Sequence, residues 1–135
     1  MLRPALSRFA LVRRVLPLLA AACLALPAAA QVQRAFPQNA LRGALVVGEA
    51  PEVALNGRPA RLAPGARIRD HNNMSVVPGA LLGARLLVHY TVDTLGLLRE
   101  VWILRPDEAA VRWPTTLQES QAWAFDPVAQ AWFKP

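Results

Sequence analysis

Two histidines and their polar neighbours are the residues of this chain that could bind a metal or act in catalysis. His71 follows Asp70 and lies three residues before Met74, and an imidazole with a thioether can bind a soft metal such as copper. One histidine and one methionine make a weak site, and a strand-capping loop with Met74 in the core is the favoured interpretation. We therefore predict no metal site and no cofactor.

His89 and Glu100 form the second candidate pair. A carboxylate beside an imidazole raises the pKa of the imidazole into the working range of a general acid or base. Cross-strand pairs of this kind are also common on protein surfaces, and no nucleophile or oxyanion-hole motif accompanies this one. We predict no catalytic residue; the alternative is a small metal-binding protein or hydrolase that uses His71, His89 and Glu100.

The first 30 residues predict where the protein works. They contain four arginines, then an apolar run, then three small residues: Arg3, Arg8, Arg13, Arg14, 15–26 and 28–30. This order is typical of a secretory signal peptide. We predict a leader over 1–30 that is cleaved near Ala30, and a periplasmic or secreted protein without stable membrane insertion after processing. The alternative is a lipid anchor at Cys23, since 19–23 is similar to a lipobox.

The charge of the chain changes once the leader is set aside. Four of the 15 basic residues precede Gln31, which leaves 11 against 9 acidic residues. Binding to nucleic acid needs a concentrated basic face, so we predict no nucleic-acid partner. Four arginines nevertheless lie close together, on positions that favour a solvated face over an anion site: Arg58, Arg61, Arg67 and Arg69.

Short apolar runs between frequent glycines and prolines predict a mainly β fold, a small barrel or rolled antiparallel sheet with one or two short helices. We expect a loose N-terminal arm over 31–42 and a single β-rich domain over 43–135. Asn56-Gly57 predicts a type I′ hairpin. Pro64-Gly65 predicts a second turn, and 74–77 a short strand.

The longest predicted hairpin joins 84–92 to 97–104. Its favoured core face contains Leu86, Val88, Tyr90 and Val92. A register with Val92 opposite Leu97 places His89 beside Glu100 on the other face. That face is also apolar, so it is either covered by the chain or offered to a partner.

The C-terminal third is predicted to contain a short helix from Arg105 to about Arg112, a second helical turn capped by Thr116, and an aromatic hairpin. Its four tryptophans favour a core role, with an aromatic recognition surface as the alternative. The predicted interaction surface contains these residues: Leu87, Trp102, Trp132, His89 and Glu100.

Two resemblances bear on function. The run 90–101, YTVDTLGLLREV, followed by WAFDP over 123–127, resembles the C-terminal domain of TonB-type energy-transducing proteins over about 40 residues. That resemblance implies a small α+β sheet that pairs with an outer-membrane receptor. As a whole the chain is similar to small exported proteobacterial proteins with no assigned activity.

These patterns together predict a non-enzymatic binding or envelope-assembly module whose partner is an envelope protein. The first alternative is a TonB-like domain that interacts with a receptor by adding a strand to it. The second is the metal-binding protein or hydrolase described above.

Overall fold

Five strands close into a small barrel within residues 33–135, the part of the chain that the computed structural model describes. They are β1 (Leu41–Val47), β2 (Glu52–Leu55), β3 (Arg58–Arg69), β4 (Arg85–Val92) and β5 (Leu98–Ile103). The order around the barrel is β1-β2-β3-β5-β4, and β4 pairs back to β1. All of the pairs are antiparallel except the parallel pair β3–β5. The predicted small barrel is therefore confirmed, and the α+β alternative is not the fold observed.

The hairpin between β2 and β3 forms where it was predicted. Asn56 and Gly57 have φ values of 55° and 80°, the combination that a type I′ turn requires. Asn56 also binds β1, because its side-chain oxygen accepts from Ala44 N at 2.9 Å and its own N donates to Ala44 O at 2.8 Å. This turn therefore fixes both the hairpin and its contact with β1.

The turn predicted at Pro64-Gly65 is wrong, because β3 continues through it as one strand of 12 residues. Gly65 has a φ of 78°, and the register with β5 shifts between Leu62 and Arg67. Proline and glycine here produce a bulge in the strand instead of ending it. The bulge lies where β3 leaves β2 and begins to pair with β5. The strand predicted over 74–77 is reduced to one isolated bridge between Ser75 and Arg69.

The predicted register between β4 and β5 is also wrong. Tyr90 pairs with Val101 and Thr91 with Glu100, but Val92 pairs with Leu98, so the ladder passes over Arg99. The extra residue changes which side chains face inward. Leu98 is buried in the core instead of Leu97, and Val92, predicted in the core, is 47% exposed.

Inward-facing apolar side chains from all five strands fill the barrel. The buried members are Leu45, Val47, Val53, Leu62, Ile68, Val88, Tyr90, Leu98, Val101 and Ile103. Alternation along β5 then directs Trp102 to the outside of the barrel wall, where it is buried as well. Strand β5 therefore needs a second layer to cover its outer face.

That second layer comes from both ends of the described chain. After β5 the chain forms α1 (Pro106–Ala109), α2 (Leu117–Ala122) and a hairpin of β6 (Ala124–Asp126) and β7 (Ala131–Phe133). With the N-terminal arm, these segments bury a second cluster: Phe36, Ala40, Trp102, Leu104, Trp113 and Trp132. The helical turns and the aromatic hairpin confirm those predictions. The predicted cap of α2 is also present, since Thr116 Oγ1 accepts from Glu119 N at 3.1 Å.

Three further sequence predictions concern the N-terminal arm, the TonB resemblance and the leader. The arm over 31–42 is not loose from Arg34 onward, because Arg34, Phe36 and Ala40 are all buried. Strand β6 pairs with β7 in a separate sheet, unlike the single α+β sheet that the TonB resemblance implies. The predicted leader over 1–30 and the alternative anchor at Cys23 lie outside the described residues. None of the helices within 33–135 has the length and apolar character to span a bilayer.

We expect Gly57→Ala to lower the free energy of unfolding by about 1–2 kcal/mol, because an L-residue at a φ of 80° is strained. Gly79→Ala is the matched control, since a Cβ added at Gly79 also meets open space, whereas its φ is not positive. Urea denaturation of both variants measures the difference. Equal stability of the two variants would contradict a type I′ turn at this position.

Candidate functional site

The residues of the predicted interaction surface separate into buried and accessible groups. His89, Trp102 and Trp132 are 1%, 6% and 3% exposed, whereas Leu87 is 42% exposed. Glu100 is partly exposed on the outer wall of the barrel. The tryptophans therefore belong to the second core, as favoured, and Leu87 and Glu100 remain accessible to a ligand.

His89 lies in a row of outward-facing residues that crosses four strands. The row runs from Arg69 on β3 through Trp102 on β5 and His89 on β4 to Arg42 on β1. The His89 ring lies 4.3 Å from the Trp113 ring and 4.5 Å from the Phe36 ring, measured between centroids. Aromatic rings thus cover the imidazole and separate it from solvent.

The hydrogen bonding of His89 fits a neutral ring. Arg42 Nη2 lies 3.2 Å from His89 Nε2, and a guanidinium can only donate, so Nε2 accepts and the ring proton lies on Nδ1. Burial lowers the pKa of His89 to about 3, with a further contribution from the positive charges of Arg42 and Arg34. A buried imidazole with this pKa is a structural group and is a poor general base at neutral pH.

The predicted pairing of His89 with Glu100 is wrong. The shifted register places Trp102 opposite His89 and Thr91 opposite Glu100. Glu100 instead faces Arg69, with 3.9 Å between the carboxylate and Nη1. No general acid–base pair is assembled at this position.

The loop around His71 has a structural explanation. Asp70 Oδ1 accepts from the backbone N of Asn72 and of Met74, both at 2.9 Å, so Asp70 holds the loop closed. Met74 is 64% exposed and does not fill the core as predicted, and His71 is exposed as well. Within residues 33–135 no three His, Cys, Asp or Glu side chains cluster in a way that could hold a metal ion.

A buried ion pair that the sequence did not reveal fastens the N-terminal arm to the barrel. Arg34 donates through Nε and Nη2 to the two carboxylate oxygens of Glu108, and through Nη1 and Nη2 to the backbone oxygens of Asp70 and Ile103. Although burial raises the pKa of Glu108, hydrogen bonds from Arg34 and Arg105 N hold it below its usual value. Arg34 and Glu108 are 74 residues apart, so no local pattern could pair them.

An open groove marks the place where the barrel wall is irregular, and we call it the arginine groove. It has a volume of about 360 Å³ and is lined by Pro64, Gly65, Arg67, Arg99 and Glu100. In the parallel pair β3–β5, Leu62 pairs with Leu98 and the next pair is Arg67 with Glu100. Residues 63–66 of β3 and Arg99 of β5 are skipped between these pairs, so both strands bulge at this point. Bulges redirect side chains and are over-represented beside functional sites. Here the shifts leave the adjacent residues Arg99 and Glu100 both on the outer wall.

The two arginines that give the groove its name are exposed. Neither Arg67 nor Arg99 takes part in the ion pairs found among residues 33–135. The charge of Glu100, the acid in the groove, is partly offset by Arg69. The groove therefore presents an excess of positive charge to solvent.

A second groove shares the lining residue Pro64 with the arginine groove. It has a volume of about 270 Å³ and is lined by Pro51, Arg61, Leu62, Ala63, Pro64 and Leu97. Arg61 pairs with Glu52 at 3.0 Å, but both side chains are about 60% exposed. Such an exposed ion pair contributes little to stability, and its members can exchange partners readily.

The accessible Leu87 lines a third groove on β1, β2 and β4. Its volume is about 310 Å³, and it is lined by Ala44, Val46, Ala54, Asn56, Gly57, Arg85, Leu86 and Leu87. Leu87 is, with Glu100, one of the two residues of the predicted interaction surface that the second layer leaves uncovered.

Comparison with known proteins does not assign the chain to a family. No family model, curated protein or solved structure matches it. A function must therefore be inferred from the grooves and from the residues around them.

We expect acid to destabilise the fold through His89. Its pKa is about 3 in the folded state against an ordinary value of 6.5, so the unfolded chain binds more protons between these values and stability rises with pH there. Lowering the pH from 7 to 5 should cost about 2 kcal/mol, measured by urea denaturation. His89→Phe, which keeps a ring against Trp113, should remove most of this loss, whereas the exposed control His71→Ala should keep it. A wild-type stability independent of pH in this range would contradict a neutral buried His89.

Arg34→Ala should lower the free energy of unfolding by about 3 kcal/mol, because it leaves the buried Glu108 carboxylate without its main partner. Arg105 Nη2 remains 3.2 Å from Glu108 and limits the loss. Arg112→Ala removes an exposed arginine and should change stability by less than about 0.5 kcal/mol. A similarly small change for Arg34→Ala would show that the arm does not depend on this pair.

Proposed function

We propose that the protein is an exported, non-catalytic binding module of the bacterial envelope that acts through the outer surface of its barrel. The observation that carries this proposal is the arginine groove, where two strands bulge beside two exposed arginines. By contrast, the histidines that could act in catalysis or bind a metal are either buried in structural contacts or, within residues 33–135, outside any cluster of side chains that could hold a metal ion. His89 is packed between aromatic rings, and His71 is in an exposed loop.

The topology of the barrel supports a binding role. The closed order β1-β2-β3-β5-β4, with β3 parallel to β5, is that of the OB-fold, in which one face and the adjoining loops bind oligonucleotides or oligosaccharides. This likeness is an analogy between folds, so it favours binding at the barrel surface but does not identify the ligand. The ligand has to be inferred from the residues of the site. The arginine groove and the second groove lie on the outer wall of the barrel, and Leu97, just before β5, lines the second groove.

Export is supported by the order of residues in the leader. A basic start, a short apolar segment and small residues before Gln31 are what signal peptidase processing requires. We propose a mature protein that starts at Gln31 and acts in the periplasm, with an envelope component as its partner.

The test is photo-crosslinking in living cells with a C-terminally tagged full-length chain. A photoreactive residue replaces Pro64, which is exposed and lines the arginine groove, in one strain and Val128, which is 92% exposed on the β6–β7 turn, in the control strain. We expect a discrete species of shifted mass from position 64 alone, in the periplasmic fraction, and a mature N-terminus at Gln31 by mass spectrometry.

Three results would contradict the proposal in different ways. Equal crosslinking from positions 64 and 128 would argue against binding at the groove. An intact leader in the cytoplasm would contradict export. Loss of the crosslink in both His71→Ala and His89→Phe, with the fold retained, would favour the alternative in which the histidines do chemistry.

A further inference from the structure

We propose that the N-terminal arm occupies a peptide-docking site, and that another extended segment with an arginine and, two positions later, an aromatic residue can replace it. The arm residues in question are 34–37, Arg-Ala-Phe-Pro, and we call the place they occupy the arm site. The class of ligand follows from the structure, because the arm itself is bound there. None of the hydrogen-bond and ring partners of Arg34 and Phe36 lines the arginine groove, so this inference is separate from the proposed function.

The arm is held as a bound peptide is held. Burial alternates over 33–36, so Arg34 and Phe36 share the buried face while Ala35 is exposed, as in an extended chain. The arm belongs to neither of the two sheets formed within residues 33–135. The backbone N of Phe36 donates to a side chain, Gln130 Oε1, at 2.8 Å. The arm can therefore leave the site without breaking a strand ladder.

The first half of the arm site is specific for a guanidinium. Both carboxylate oxygens of Glu108 accept from Arg34, and the backbone oxygens of Asp70 and Ile103 accept from it at 2.9 and 2.8 Å. A planar fork of donors fits these acceptors, whereas a lysine presents a single nitrogen. Arg105 also binds Glu108, through its backbone N at 2.9 Å and Nη2 at 3.2 Å. The carboxylate therefore keeps a partner when the arm leaves.

The second half of the arm site is a group of rings around Phe36. The ring centroids of His89, Trp102 and Trp113 lie 4.5, 5.7 and 5.8 Å from that of Phe36, all in edge-to-face arrangements. Such contacts favour an aromatic ring over an aliphatic side chain. Because Ala35 between the two halves is exposed, the site selects an arginine, then any residue, then an aromatic residue.

Two buried N–H groups in the same cluster have no acceptor among residues 33–135. They are His89 Nδ1, which carries the ring proton, and Trp132 Nε1. Nearly all buried donors in folded proteins are paired, and an unpaired one costs roughly 1–3 kcal/mol. The arm thus closes its site without satisfying every donor around it. This incomplete pairing favours exchange of the arm for a segment that supplies further acceptors.

The experiment measures binding of a fluorescein-labelled peptide, QVQRAFPQNA, which has the sequence of residues 31–40. The protein is the proposed mature chain, residues 31–135, with Arg34→Ala to weaken the hold of its own arm. Fluorescence anisotropy should show saturable binding of the peptide to this variant. The wild-type chain should bind the peptide at least about tenfold more weakly, because its intact arm competes at an effective concentration of about millimolar.

Matched peptides test the order and the chemistry of the two side chains. A peptide with Arg34→Phe and Phe36→Arg has the same composition and charge in the wrong order, and it should bind roughly tenfold or more weakly. A peptide with Arg34→Lys keeps the charge and loses the fork, so it should also bind more weakly than the original.

Matched protein variants test the location. Glu108→Gln, added to Arg34→Ala, should remove most of the binding, whereas Asp107→Asn changes the exposed neighbouring carboxylate and should leave the affinity within about twofold. Arg112→Ala removes an exposed arginine from a chain with an intact arm and should bind the peptide no better than the wild type. Thermal melting shows which variants retain the fold.

Hydrogen exchange of the wild-type chain tests release of the arm without any substitution. The Phe36 amide should exchange through an opening of lower free energy than the Leu62 amide, which donates to Pro51 O at 2.8 Å in the barrel. This measurement decides the matter if Arg34→Ala does not fold.

Four results would overturn the inference. The first is equal protection of Phe36 and Leu62, because the arm would then open only with the whole barrel. The others are no binding of the peptide by folded Arg34→Ala, equal binding by the wild-type chain, and equal binding of the peptide with the exchanged order. Crosslinking from position 64 in cells tests the arginine groove separately, so either proposal can fail while the other stands.

Discussion

The constraint on which the rest of this structure depends is that β5 is apolar on both faces. Val101 and Ile103 complete the barrel interior, while Trp102 points outward and must be kept from water as well. Burying a large aromatic side chain contributes a few kcal/mol, which offsets part of the entropy lost when the outer layer is ordered. The N-terminal arm and the C-terminal hairpin are folded against the barrel for this reason. Without this layer the barrel would expose an extended apolar face.

Charged groups at the boundary between the two layers are held by specific partners. Arg34 joins the arm to Glu108 at the start of the outer layer, and Arg42 donates to the backbone oxygens of Glu108 and Ala109. His89 stays neutral between them, since burial and two nearby guanidinium groups both oppose its protonation. The polar groups here fix the position of the outer layer, and this use accounts for the histidine that the sequence offered as a catalytic candidate.

Local chemistry explains which elements could be predicted from the sequence. Asn56-Gly57 identified its hairpin because few residue pairs accept two positive φ values, and Thr116 identified a helix start because its hydroxyl fits the first free N–H groups. Pro64-Gly65 did not reveal a bulge, since the same residues serve in turns and only the pairing with β5 distinguishes the two. The bulge at Arg99 likewise depends on neighbours far along the chain, so the sequence could not predict the burial of Leu98 or the arginine groove.

The contacts between the two ends of the described chain have a consequence for folding. Phe36 N donates to the side chain of Gln130, and Arg34 donates to Glu108, so these partners are separated by 94 and 74 residues. A chain made from its N-terminus cannot complete the second core until Trp132 has been synthesised. Contacts of such long sequence separation slow folding. The barrel strands are therefore synthesised before the β6–β7 hairpin, and Trp102 on the outer face of β5 stays uncovered until that hairpin is available.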